Sequence, residues 1–206
     1  MPKKVGFLKP KKFSGINFKS KSYDSNSRDD AKLRYEMSRY ENYESMQSTD
    51  WTLGEFLKIV ESLDDQKSAI LFSYNLNMPN ILKHYAPKCA EIFIGTFAIS
   101  APALVGIQSA YDNGCEIHVL VDYTFYRSRN NVNAYKRYLQ GKVDLRKCKN
   151  HSKYLAMKFK NGTFLNVYGS ANLSKNPSFE MVHIGKSKEE FEFMKEVTLS
   201  MEEENG

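Results

Sequence analysis

From residue 50 onward, short apolar runs that suit buried strands alternate with three-and-four apolar spacings that suit helices. Thr52-Leu-Gly-Glu55 is a capping box, and it predicts a helix with Phe56, Ile59, Val60 and Leu63 on its inner face. Residues 68–74 read as a buried strand, 79–85 as a short helix and 90–97 as a second strand. Ser100 is placed to cap a helix with Pro102 in its first turn, and Gly114 ends it. Residues 116–122 (EIHVLVD) form the next strand, 131–139 a helix and 142–147 a strand. Residues 154–159 and 163–168 pair as a hairpin across Asn161-Gly162, a type I′ signal. A strand over 179–184 precedes a second capping box, Ser187-Lys-Glu-Glu190. This box opens a last helix with Phe191, Met194 and Val197 inward. Such alternation predicts an α/β sheet with parallel pairs and right-handed crossovers.

Residues 1–27 show neither period and read as a flexible arm; 28–47 read as a helix with Leu33, Met37 and Tyr40 on one face. The chain therefore divides into a basic arm with a short helix (1–49), one domain (50–200) and an acidic tail (201–206). Composition supports one real core in 206 residues, with 41% hydrophobic content and 13 Phe beside 13 Tyr. Cys89, Cys115 and Cys148 are dispersed, with no Cys-x-x-Cys, which argues against a disulfide frame or zinc cluster. No apolar run approaches a membrane span, and the first residues, Met-Pro-Lys-Lys, lack a signal-peptide core. The expected location is cytoplasmic.

Charge changes the picture more than its net value of +6 suggests. Seven lysines and no acid fall within residues 1–21. Residues 127–160 carry eleven Lys or Arg against one acid, Asp144. This second run leads into His151 and Lys153, where positive potential would attract a polyanion. Arg127, Arg129, Lys147, Lys149, Lys158 and Lys160 are the candidate nucleic-acid contacts. Tyr123, Phe125 and Tyr126 precede the run, and aromatics beside cations suit single-stranded bases as well as they suit packing on the sheet.

The hairpin returns Gly169-Ser-Ala-Asn172 beside His151-Ser-Lys153, so His151, Lys153, Ser170 and Asn172 converge on one point. An imidazole attacks or protonates; an ammonium, an amide and a hydroxyl hold an anionic oxygen. At these residues the chain resembles the phospholipase D superfamily, whose pattern is His-x-Lys, four residues, Asp, then Gly-Ser-x-Asn. Glu180 stands where that family often carries a downstream acid. Lys158 replaces the pattern's Asp, and Gly169 comes four residues late, as if each hairpin strand had gained two. The half-domain before the motif is also similar, from the helix capped by Ser100 to the strand ending in Val121-Asp122.

The resemblance implies a phospholipase D-like fold with a mixed, mainly parallel sheet, helices on both faces and one half-unit per chain. It also implies a phosphohistidine intermediate and no cofactor. Small single-motif members pair two copies to supply two histidines, so a homodimer sharing one site is expected, with Glu180 orienting His151 of one chain or the other. The cations and the lack of a membrane segment favour nucleic acid as substrate, DNA over RNA. A non-catalytic nucleic-acid-binding protein is the main alternative, on the strength of Lys158; a phospholipase or phosphatidyl transferase is a weaker one. A small basic nuclease would suit a phage, a mobile element or a defence system equally. The four histidines are too dispersed for a metal site. His118 and His183 read as strand residues, and Gly185-Lys186-Ser187 lacks the earlier Gly of a phosphate loop.

Overall fold

A capping box opens the first described helix. Thr52 Oγ1 accepts the Glu55 N–H at 3.2 Å and Glu55 Oε2 accepts the Thr52 N–H at 2.8 Å. The structure, a computed structural model, describes residues 52–65, 67–73, 77–174 and 180–201. The basic arm, the helix expected over 28–47 and the acidic tail beyond Met201 lie outside these residues. The described elements are α1 (Leu53–Ser62), β1 (Ser68–Ser73), α2 (Met78–Tyr85), β2 (Cys89–Thr96), α3 (Ala101–Asp112), β3 (Glu116–Asp122), α4 (Arg129–Tyr138), β4 (Asp144–Cys148), β5 (Tyr154–Phe159), β6 (Phe164–Gly169), β7 (Glu180–Gly185) and α5 (Lys188–Ser200). Short 3-10 turns occupy Ala86–Lys88 and Tyr123–Arg127.

The seven strands form one sheet in the order β1-β7-β6-β5-β2-β3-β4. It is mixed, as expected, but it is not mainly parallel. Only β2–β3 and β3–β4 run parallel, while the four remaining pairings are antiparallel. After β4 the chain crosses the sheet without a helix and reverses into β5. The hairpin then alternates direction through β6, and β7 and β1 continue that alternation.

Period-two alternation divides the strands between two apolar layers. Ile92, Ile94, Leu155, Val167 and Ile184 face one layer with Phe56 of α1, Leu82 of α2 and Leu104 of α3. Phe93, Tyr154 and Ala156 face the other, which α5 covers with Phe191. No helix among the described residues is long and apolar enough to cross a membrane.

Three local readings need correction. No described residue other than glycine has positive φ, so Asn161-Gly162 is not a type I′ turn. Phe159 N–H donates to Thr163 O at 2.8 Å and Gly162 N–H to Phe159 O at 2.9 Å, with Gly162 at φ +86°. That is a three-residue loop whose glycine supplies the left-handed step. Ser187 caps α5 through Glu190 N–H, but the Glu190 side chain turns to Asn166 and Tyr168 instead of closing the box. Ser100 precedes α3 in extended backbone, yet its hydroxyl makes no capping bond.

Candidate active site

The carboxyl ends of β2, β3 and β4 meet at one edge of the sheet, and the segment 149–153 crosses that edge toward β5. Asn150, 5% exposed, fixes the crossing. Its side-chain amide donates to Thr96 O at 3.2 Å and Leu120 O at 3.0 Å, tying together the ends of β2 and β3. Its backbone N–H donates to Asp122 Oδ2 at 3.1 Å, and its Oδ1 accepts the Ser152 N–H at 2.9 Å. Burial pushes the Asp122 carboxyl up, but hydrogen bonds from Thr124 and Asn150 and the Arg127 charge outweigh it, so the net shift is downward. A buried carboxylate and amide thus hold the turn that presents His151.

His151 is exposed, with its ring 5.2 Å from that of Phe97. Lys153 Nζ donates to His151 O at 2.8 Å and lies 3.2 Å from Nδ1. An ammonium has no acceptor lone pair, so Nδ1 accepts and the neutral ring carries its proton on Nε2. Burial lowers the Lys153 pKa below the ordinary lysine value, against an opposing pull from Glu180.

The hairpin then closes the site. Gly169 N–H donates to Lys153 O at 3.1 Å, which sets the Gly-Ser turn beside the lysine. A Cβ at Gly169 would lie 2.0 Å from Met181 O, a backbone atom that has no room to move, so glycine is required for this close approach. Ser170 N–H donates to Met181 O and Met181 N–H to Ser170 Oγ, both at 2.9 Å. The Ser170 hydroxyl donates to Glu180, whose side chain is buried. Asn172 lies in the segment that bridges to Ile99, and its Oδ1 is buried with no hydrogen-bond partner among the described residues.

His151, Lys153, Ser170 and Glu180 therefore come together at one edge, with Asn172 on the adjoining segment. The candidate cations divide. Arg127, Arg129 and Lys149 are exposed on segments leaving or crossing the same edge, and Lys147 is partly buried in β4. Lys158 lies near the opposite end of β5, roughly 17 Å from Lys153 at the usual rise per strand residue, and Lys160 follows just past the end of that strand. Lys158 pairs with Glu91 at 2.6 Å, which also pairs with Lys195 at 2.8 Å, and Lys160 donates to Asn113 O at 2.8 Å. Neither reaches His151.

His118 is structural: it stacks on Phe93 at 4.7 Å and sits between Asp144 and Glu116. His183 packs on Tyr168, and burial lowers its pKa to about 4. Phe97 and Asn150 were not identifiable from pattern, although Asn150 directly precedes the motif histidine. Among the described residues no three His, Cys, Asp or Glu side chains group as metal ligands.

No protein-family model and no curated protein sequence matches the chain. Polyphosphate kinase from Porphyromonas gingivalis superposes with a TM-score of 0.56 at 12% identity over 72% of this chain, which spans 29% of the kinase chain. Nuc from Salmonella typhimurium, a phospholipase D family member, superposes with a TM-score of 0.51 at 15% identity, covering 65% of this chain and 93% of Nuc. The seven-stranded sheet flanked by helices on both faces, with its His-x-Lys segment crossing one edge, is a phospholipase D-like fold.

Proposed function

We propose that the protein is a phosphodiesterase that cleaves nucleic acid, DNA in preference to RNA, through a phosphohistidine at His151 and without a metal. The observation that carries this reading is the convergence of His151, Lys153 and the Glu180-bound Ser170 at an open edge flanked by Arg127, Arg129 and Lys149. The two carboxylates there, Glu180 and Asp122, are buried and already hydrogen-bonded, while cations and hydroxyls stand around them, a set suited to a phosphate more than to a divalent cation. A phosphate oxygen would draw Lys153 off Nδ1. The ring proton can then reside on Nδ1, freeing the Nε2 lone pair for attack. The new N–P bond forms as the P–O bond to the leaving group breaks, and a second imidazole protonates the departing oxygen. Water next attacks phosphorus, the N–P bond breaks, and the water's proton returns to the second imidazole.

The attacking and protonating groups must lie on opposite sides of phosphorus, and this chain has one His-x-Lys. The second imidazole is therefore assigned to another copy, in a homodimer with one shared site and Glu180 orienting a histidine across it. Mixing His151→Ala protein with wild type should give heterodimers far below half activity. A monomer cleaving at full rate would overturn the shared site.

A second reading is favoured by one observation. Lys153 on Nδ1 leaves the outward nitrogen protonated, which is an arrangement that binds phosphate without attacking it. Tight nucleic-acid binding with no cleavage would select this non-catalytic reading.

A further inference from the structure

We infer that Phe97 and Tyr123 are base-stacking platforms that make the site selective for single-stranded nucleic acid. The inference rests on the nucleic-acid reading above and adds its strand preference. β2 and β3 are parallel neighbours in register, Thr96 opposite Val121, so the chain leaves both strands at the same edge. Phe97 is the first residue after β2 and Tyr123 the first after β3. The strands they leave run about 4.8 Å apart, which places both aromatics beside the crossing segment that carries His151.

Each ring keeps part of its surface open to solvent. Phe97 and Tyr123 are each 38% exposed, whereas nearby Phe93 and Phe125 are 1% and 3% exposed and already fill the core. The Phe97 ring is tilted 53° to His151 at 5.2 Å, an angle that does not stack the two rings face to face. The Arg127 guanidinium lies 4.9 Å over the Tyr123 ring. An aromatic face for a base and a cation for its phosphate are the paired elements of single-strand binding. In a duplex each base face is covered by its neighbours. A ring this close to the reacting imidazole reaches a base beside the scissile phosphate only when that base is unstacked.

The test uses full-length protein carrying His151→Asn, which prevents cleavage during binding. Affinities are measured for a single-stranded DNA containing 2-aminopurine and for the duplex of the same sequence. Adding Phe97→Leu or Tyr123→Leu should weaken single-strand binding roughly tenfold each, change duplex binding by less than about twofold and relieve 2-aminopurine quenching. Phe97→Trp should retain both the affinity and the quenching. Equal losses for the two DNA forms, or no loss for either, would overturn the platforms. Wild-type protein that cleaves DNA while the leucine variants bind normally would retain the catalytic reading and refute this one. Stacking-dependent binding by a protein that never cleaves would support the platforms and refute the catalytic reading.

Discussion

The Lys153 ammonium lies 3.2 Å from Nδ1 of His151 and 2.8 Å from the carbonyl oxygen of the same residue. The group suited to neutralising a phosphate thus also sets the histidine's tautomer, and the two roles compete for one ammonium. Burial lowers the Lys153 pKa while the Glu180 charge partly restores it. A lysine must be charged to hold an anion, so phosphate or vanadate affinity should fall as pH rises through a value below that of an ordinary exposed lysine. Lys153→Arg should abolish this alkaline limb, because a guanidinium does not titrate there. A limb unchanged in Lys153→Arg would assign it to another group.

Lys158 occupies the position where the resembled motif carries Asp, yet it lies at the far end of β5 from the site. It shares Glu91 with Lys195. Burial pushes the Glu91 carboxyl up, but these two lysines outweigh it and hold it low. Restoring the motif acid by Lys158→Asp would set a carboxylate opposite Glu91 in the β2–β5 register. The expected outcome is a loss of about 1 kcal/mol in stability, since the pair is partly exposed, read as a drop of a few degrees in Tm. Cleavage should not rise. A large gain in activity would show that this position acts on the site from a distance.

Local signals in the chain were legible where the chemistry is local. The Thr52–Glu55 box, the glycine stop at Gly114 and the two hairpin strands follow from residues a few positions apart. The direction of the sheet was not legible, because it depends on β5 docking against β2, more than 50 residues away in sequence. The turn at Asn161-Gly162 misled because its dipeptide fits more than one hairpin loop, and only the positive φ of Gly162 without that of Asn161 distinguishes them. The juxtaposition of His151, Lys153 and Ser170 was legible because the hairpin returns these residues to one edge. Phe97 and Asn150 escaped because an isolated aromatic or amide in a loop has no periodicity. Their placement emerges only from tertiary contacts, Phe97 against the His151 ring and Asn150 against the end of β2.

His183 gives the fold a measurable pH dependence. It is 8% exposed, and burial against Tyr168 lowers its pKa to about 4 from the ordinary 6.5. The unfolded chain takes up this proton near pH 6.5 and the folded chain does not until about pH 4. Stability is therefore complete above 6.5 and declines as pH falls through that window, by at most about 3 kcal/mol. Urea unfolding at pH 7.5 and 5.0 should show the decline, and His183→Gln should flatten it. Equal slopes in both proteins would assign the dependence elsewhere.

If His151 breaks a phosphodiester bond without a metal, activity survives chelation and depends on that one imidazole. The most direct measurement incubates purified protein with end-labelled DNA and RNA in EDTA, beside His151→Ala. Cleavage is expected in EDTA, stronger on DNA, and absent in the variant. Cleavage that requires added Mg²⁺ and persists in His151→Ala would contradict it.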